Sequence, residues 1–539
     1  MKHYLTYIKE SMEKGWNKPA LSDFEGTVNY SYGEMAQKVA WMHLVFEKAG
    51  LKPGDKMAIC GRNSSNWAVC YLAIATYGGI AVSILPEFTS ESIHDLVNHS
   101  DAKLLFVGPW VRGRIDLDQM PGIDTFIAIQ DLSIMKSAKT IDLAAIDTLF
   151  TKRYPNGFSI KDVNYPVDNL DDVALINYTS GSTGNPKGVM VTHRNMSSNV
   201  IFGQDNIPNR NNRPIVSMLP LAHMFGLMFE FIYQLAGGTH IYFVTKSLTP
   251  ALLMKAFHDV QPFMILTVPL VVEKIFKKKI LPAIQKPLVK ILWYTPVIGQ
   301  IIRHKVYKQL MESFGGHLDF LIIGGAALNE DVERAMRQIG FPYTCGYGMT
   351  ECAPLLAYAH PKTYAFRSCG RIVDRMALKI DSSDPYHVEG ELLVRGDNVM
   401  RGYYKNVQAT DNIFTDDGWM RTGDIGIIDK KGNIYLRGRS KNMILGASGQ
   451  NIYPEEIEDK INSMEGVVES VVVEREGKLV ALVFPEDLTN LAKVQEDLNQ
   501  QLLKVNKLLP SYSQISEIEL VEQEFEKTPK KSIKRFMYK

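Results

Sequence analysis

The stretch from Tyr30 to Val107 constrains the fold most, because helical and strand periodicity alternate through it without a break. SYGEMAQKVAWMHLVFEKAG places apolar residues at helical spacing and stops on Gly50. KMAIC follows as a strand, SSNWAVCYLAIATYGG as a helix closed by Gly78 and Gly79, and AVSIL as a second strand. ESIHDLVNHS is a third helix and KLLFVG a third strand. Strands separated by helices of about 10 to 20 residues imply a parallel sheet with helices packed on its faces. The alternation returns around Ser217–Val244 and Phe263–Gly325. The fold class is therefore α/β. At 539 residues the chain exceeds what one hydrophobic core organises, so a large part and a smaller part are expected.

After about Gly390 the composition changes. ELLVRGDNVMRGYY and GIIDKKGNIYLRGRS read as antiparallel hairpins with Gly, Asp and Lys at the turns. From Tyr453, PEEIEDKINSMEG, ESVVVEREGKLVALVF and a helix over Val494–Asn506 outline a small α+β unit. The boundary is expected near Gly438–Lys441, dividing the chain into 1–438 and 439–539.

Charge and cysteine content exclude several classes. Lys and Arg total 60 against 59 Asp and Glu, so there is no global basic field for nucleic acid. Cys60, Cys70, Cys345, Cys352 and Cys369 form no C-x-x-C pair and no zinc spacing. Scattered thiols suit a reducing cytoplasm. MKHYLTYIKESMEKG lacks the apolar region of a signal peptide. No run approaches the roughly 18 to 20 apolar residues of a spanning helix. The expected location is cytoplasmic.

Residues Tyr178–Gly188 read YTSGSTGNPKG after the apolar run VALIN. Gly181 and Gly184 let backbone N–H groups approach an anion, and Thr179, Ser180, Ser182 and Thr183 add hydroxyls. Lys187 adds a positive charge. The string is not a Walker loop, because G-x-x-x-x-G-K-[ST] is missing. A generic stretch of this composition is most often a surface loop. The full string, however, resembles the signature loop of the adenylate-forming superfamily, which includes acyl-CoA synthetases, luciferases and peptide-synthetase adenylation domains.

The resemblance extends over nearly the whole chain, in order. MLPLAHMFG (218–226) is similar to the superfamily's motif beside the acyl site, which implies that His223 lies near the reacting carboxylate. A lone histidine is otherwise more often a core residue. GGAAL (324–328) resembles the adenine-side turn, implicating Gly324, Gly325 and Ala326. GYGMTE (346–351) implies that Gly346, Tyr347 and Gly348 flank the nucleotide, with Tyr347 stacked on adenine. Thr350 would contact the α-phosphate and Glu351 would hold Mg²⁺, a hard cation that takes carboxylate and phosphate oxygens. GWMRTGD and Gly438–Arg439 look like the ribose-binding pair Asp424 and Arg439, and Lys441 falls at the hinge position. GASGQNIYPEEIE (446–458) matches the loop lining the pantetheine channel, where Gly446 and Gly449 suit close backbone approach. The implied fold is a large N-terminal domain of layered α/β subdomains with a distorted β-barrel, plus a small mobile C-terminal domain.

The implied chemistry has two steps. A carboxylate attacks the α-phosphate of ATP, and then the thiol of coenzyme A attacks the acyl-adenylate. Neither step needs an enzyme nucleophile. The first needs cations and N–H donors at phosphorus. The superfamily takes one cation from a lysine near its C-terminus. Registering the tail Lys527-Thr-Pro-Lys-Lys-Ser-Ile-Lys-Arg535 on Thr528, Ile533 and Arg535 puts Ser532 at that position. Lys531 and Lys534 flank it, and a one-residue shift in an extended segment reverses side-chain direction. A bend could re-aim Lys531, which makes it the first candidate and Lys534 the second. A solvated basic tail is the plain alternative.

An amino-acid substrate would need a buried carboxylate for its ammonium. PLAHMFG has none, and the next acid is Glu230. The string SGQNIYPEEIE and the long segment 277–314 look more like long-chain acyl-CoA synthetases than acetate or aryl ligases. That segment mixes basic and bulky apolar residues, a pattern suited to peripheral contact with an anionic membrane at its inner face. It equally fits two core helices around Pro296. A fatty acid is the expected substrate. An acyl carrier protein is an alternative acceptor, another carboxylate or aryl acid an alternative substrate, and a degenerate nucleotide- or lipid-binding protein the non-enzymatic alternative.

Overall fold

The first alternating stretch builds the centre of an eight-stranded sheet. In this computed structural model the described residues are 1–179, 186–207, 213–280, 284, 286–445, 450–528 and 532–538, without the side chains of 277–279 and 290. Strand Lys56–Cys60 pairs in parallel with Ile80–Ile84 on one side and Leu104–Val107 on the other. Ile80–Ile84 in turn pairs in parallel with Val173–Thr179. The expected helices lie between these strands. Helix Tyr32–Ala49 starts on a capping box of Ser31 and Glu34 and ends at Gly50, whose left-handed φ of +83° suits a residue without a Cβ. Helix Ser65–Tyr77 is buried on nearly every side, as its apolar composition all round requires.

Two further sheets carry the later alternation. Pro214–Ser217 and His240–Phe243 join Pro19–Asp23 and Asn29–Ser31. Met264–Thr267, Phe320–Ile323 and Tyr343–Cys345 form a parallel sheet. GGAAL and GYGMTE leave the carboxyl ends of adjacent strands of this sheet, where parallel α/β sheets bind ligands. Gly226–Ile232 is a π-helical turn that periodicity did not reveal.

The region after Gly390 is antiparallel as expected, in the order Met376–Asp381, Gly390–Gly396, Met420–Ile428, Ile434–Arg439. One expected hairpin is corrected. Gly402–Tyr403 does not fold back on Gly390–Gly396 but pairs with Val189 and Met190 at the edge of the eight-stranded sheet. Gly402, at φ +143°, lets the chain leave its own sheet, and the unpaired edge of Lys187–Thr192 gains a partner.

The C-terminal residues form an antiparallel pair, Val467–Arg475 with Lys478–Pro485, extended in parallel by Glu517–Leu520. Helix Leu491–Asn506 begins before the expected Val494 because the Asn490 side chain caps it, accepting from Lys493 N–H. This unit has its own core, including Ile457, Ile461, Val472, Val483 and Leu498. It meets the larger part through Asn329, whose amide donates to Ser463 Oγ at 2.6 Å and Asp459 Oδ1 at 3.1 Å, and through Arg367, 3.0 Å from Asp459. No helix among the described residues is long and apolar enough to cross a membrane.

Candidate active site

The phosphate-loop string is flanked by two paired strands. Val173–Thr179 and Lys187–Thr192 pair antiparallel, with Thr179 opposite Lys187 across the mouth. Ser180, Gly181, Ser182, Thr183 and Gly184 lie outside the described residues. In the first of these strands, Asn177 is fully buried and its amide donates to the Ala222 carbonyl at 2.8 Å. That bond ties the strand to the loop carrying His223.

His223 is half-buried at the start of the π-helical turn. Its Nδ1 accepts from Phe225 N–H at 3.2 Å, which sets the ring orientation. Seven residues further on, Glu230 Oε2 accepts from Ser217 Oγ, Met218 N–H and Leu219 N–H at 2.9, 3.0 and 2.9 Å. Glu230 is fully buried, and burial pushes its carboxyl well above the ordinary glutamate range. It clamps the strand end that leads into PLAHMFG.

Phe225 joins this loop to the two glycine motifs. A Cβ on Gly324 would stand 3.2 Å from the Phe225 ring and 3.8 Å from the Gly346 carbonyl oxygen. The Gly346 N–H donates to Ile323 O, and the Gly324 N–H to Thr267 O. Gly325 and Ala326 are exposed beside them. Gly348 packs so closely on the next turn that a Cβ would lie 2.2 Å from Pro354 O. Close approach accounts for Gly348 and tightness for Gly324, while Gly325 has a φ of +89° that favours glycine.

Asp424 and Arg439 are direct cross-strand partners. Arg439 Nε lies 2.8 Å from Asp424 Oδ1, and the Tyr347 hydroxyl donates to Asp424 Oδ2 at 2.6 Å. Asp424 is buried while Arg439 is half-exposed. Burial raises the Asp424 carboxyl above the usual aspartate range, opposed by Arg439 and by the Tyr347 hydrogen bond. Tyr347, expected to stack on adenine, is thus also bonded through its hydroxyl to the carboxylate expected to take ribose.

Glu351 sits in the turn Thr350–Cys352, with Thr350 buried beside it. The Tyr403 hydroxyl donates to Glu351 Oε1 at 2.9 Å, and the Lys187 ammonium stands 4.8 Å from the centre of the Tyr403 ring. One tyrosine therefore bridges the expected phosphate lysine and the expected metal carboxylate. Sequence reasoning missed Tyr403, Asn177 and the role of Glu230. Their partners are distant in the chain, and no local pattern marks them.

Gly446, Gly449 and Lys531 lie outside the described residues. The tail turns back on itself, with Lys527 opposite Ile533 and Thr528 N–H donating to Ser532 O. Lys534 pairs with Glu526 at 3.2 Å. Arg535 is bonded to Glu458, the last residue of GASGQNIYPEEIE. The structure therefore brings these residues together in two sets, Lys187 with Glu351 through Tyr403, and His223, Gly324 and Gly346 through Phe225 with Tyr347, Asp424 and Arg439, and leaves Lys534 paired within the C-terminal unit.

Comparison with known proteins gives the class. The profile of the AMP-binding enzyme family matches residues 8–404, and that of the AMP-binding enzyme C-terminal domain matches residues 441–538. Long-chain-fatty-acid–CoA ligase 4 of Saccharomyces cerevisiae is 32% identical over 544 residues, covering 90% of this chain and 76% of that one. 4-Coumarate–CoA ligase 1 of Petroselinum crispum is 27% identical over 524 residues, covering 93% and 87%. The crystal structure of the anthranilate CoA ligase AuaEII in complex with anthranoyl-AMP superposes with a TM-score of 0.79 at 17% identity, covering 99% of this chain and 96% of that one, a likeness of fold. This chain belongs to the AMP-binding enzyme family and has the adenylate-forming fold. Within that family it falls among the AMP-forming acid–thiol ligases, whose substrates are ATP, a carboxylic acid and coenzyme A.

Proposed function

We propose that this protein joins a medium- or long-chain fatty acid to coenzyme A through an acyl-adenylate. The observation carrying this reading is the pair of contact sets, one from Lys187 through Tyr403 to Glu351 and one from Phe225 through Gly324 and Gly346 to Tyr347 and Asp424. In it, Thr179–Gly184 and Lys187 hold the phosphates, Asp424 and Arg439 the ribose, and Tyr347 the adenine between the 324–326 and 346–348 turns. Thr350 contacts the α-phosphate, and His223 lies beside the carboxylate. The C-terminal unit hinges near Gly438–Lys441 and swings between the two steps, presenting Gly446 and Gly449 to the pantetheine arm.

Magnesium fits one residue. The described residues hold no group of three or more His, Cys, Asp or Glu able to cage a metal. A half-buried carboxylate, Glu351, with phosphate oxygens and water completing the shell, is the donor set Mg²⁺ favours. When bound, the ion neutralises phosphate charge. Glu351 is oriented for this by Tyr403.

A fatty acid is favoured over an amino acid because Glu230, the first acid after PLAHMFG, is consumed by Ser217, Met218 and Leu219. An aryl acid is the second reading, favoured by the likeness to 4-coumarate–CoA ligase. A panel from acetate to long-chain and aryl acids, read as AMP release with coenzyme A or an acyl carrier protein as acceptor, tests both. Medium- or long-chain acids with coenzyme A are expected to give the highest kcat/KM. Preference for an aryl acid or for the carrier protein overturns that part of the reading. Absence of acid-dependent AMP release with any acid overturns catalysis itself.

The tail supplies the cation for the first step. Among Lys530→Ala, Lys531→Ala and Lys534→Ala, one variant, first Lys531 and then Lys534, is expected to lose about a hundredfold in pyrophosphate exchange, as loss of one positioned charge-stabilising donor does. Normal exchange by all three removes the tail from the mechanism.

A further inference from the structure

Two short helices, Pro287–Leu292 and Ile298–Ser313, meet around Pro296 and turn an apolar face to solvent. Leu288, Ile291, Tyr294, Val297, Ile298 and Ile301 are between 49% and 75% exposed, so the segment packs on the core with one face only. Isolated exposed apolar residues need no explanation, but a contiguous patch marks an interaction surface.

The patch is held in place by the protein. Between the two helices Trp293 is buried, and its indole N–H donates to Gln338 Oε1 at 2.8 Å. The Arg303 guanidinium donates to the Trp293 carbonyl. A Cβ on Gly299 would stand 2.4 Å from that same carbonyl oxygen, so only glycine permits the approach of the second helix. Trp293, Val306 and Leu310 face the interior cluster. The outward face is therefore a consequence of how the inward one is anchored.

Charge identifies the occupant. From Lys274 to Met311 the sequence has eight lysines, one arginine and no Asp or Glu, in a chain whose net charge is +1. Ile301, Lys305 and Lys308 follow one line along the second helix at i, i+4 and i+7, all exposed. Apolar residues at the tip with cations behind them allow shallow insertion while the ammonium groups stay at the level of lipid phosphates. A second copy of the chain would bring like charges face to face, whereas an anionic bilayer neutralises them.

The segment that precedes the patch in the chain starts at the site. Helix Pro269–Lys279 begins next to Val268, whose side chain stands 3.7 Å from where a Cβ on Gly325 would be. Eleven residues at about 1.5 Å each make this helix about 16 Å long, and Pro287–Leu292 follows it in the chain.

We propose that this pair of helices docks the protein on the surface of a bilayer containing anionic lipid. The inference goes beyond the catalytic reading, and its test uses neither ATP nor acid, so either can fail alone. The full chain is floated with vesicles of phosphatidylcholine and with vesicles of equal parts phosphatidylcholine and phosphatidylglycerol. The bound fraction is expected to be about tenfold higher on the anionic vesicles and to fall with added salt. Ile291→Glu with Ile301→Glu, and separately Lys305→Glu with Lys308→Glu, are each expected to lower it about tenfold while thermal midpoints and the rate with a short water-soluble acid stay at wild-type values. Equal binding to both vesicle types, no binding, or binding unchanged in both variants overturns the proposal. A vesicle-free dimer that the isoleucine variant dissociates reassigns the patch to a second copy.

Discussion

Replacing Asp424 by Asn is expected to lower ATP-dependent pyrophosphate exchange by about two to four powers of ten in kcat/KM, because about two charge-assisted hydrogen bonds worth roughly 1.5–3 kcal/mol each are lost. Both carboxylate oxygens face donors, Arg439 Nε on one side and the Tyr347 hydroxyl on the other. An amide must turn its NH₂ toward one of them, so donor meets donor, and the negative charge is gone as well. Arg439 is half-exposed and can be rehydrated, so the cost falls mainly on nucleotide binding and little on stability. Tyr347→Phe removes one hydroxyl and keeps the ring, with an expected loss of about tenfold. An Asp424→Asn enzyme within about threefold of wild type would remove Asp424 from the ribose site.

The second large effect concerns stability. Glu230→Ala should lower the unfolding free energy by about 3–5 kcal/mol in urea titration, since three buried donors lose their acceptor at roughly 1–3 kcal/mol each before relaxation. The donors are the Ser217 hydroxyl and the Met218 and Leu219 N–H groups. Glu230→Gln keeps an acceptor oxygen and should cost much less. The pair of variants also reports on protonation. Burial raises the Glu230 carboxyl pKa in the folded state, and Oε1 has no partner among the described residues to offset it. The folded state therefore holds a proton that the unfolded chain releases near its ordinary value of 4.5. The contribution is complete below that value and is lost as pH rises toward the raised folded pKa, by at most about 1.4 kcal/mol per pH unit. Wild type should lose stability relative to Glu230→Gln across that window. Parallel pH profiles of the two would show that the carboxyl is not the titrating group.

Much of the fold was legible because its signals are local. Ser31 with Glu34 starts a helix and Gly50 ends it, and the run Ser65–Tyr77 announces burial by being apolar all round. The motif strings were legible for the same reason, since each occupies a few consecutive residues. What was not legible is long-range. Tyr403 matters because Gly402–Tyr403 joins the edge of Lys187–Thr192, which places its hydroxyl on Glu351 and its ring under Lys187. The expected hairpin with Gly390–Gly396 failed at this point, because local periodicity cannot say which of two unpaired edges a strand will take. Glu230 was visible only as the nearest acid after a motif, and its burial depends on a π-helical turn with no sequence period of its own.

The sequence by itself determined the α/β class, the order of the parts, and family membership through consecutive strings whose small residues and charges suit nucleotide chemistry. The tertiary structure alone decided which side chains meet. It placed Tyr347 on Asp424, Phe225 against Gly324, Tyr403 between Lys187 and Glu351, and Trp293 inward so that six apolar neighbours face out. The division has a physical cause. Helix caps and periodicity are set by bonds a few residues apart, whereas these contacts join positions brought together only when whole sheets pack.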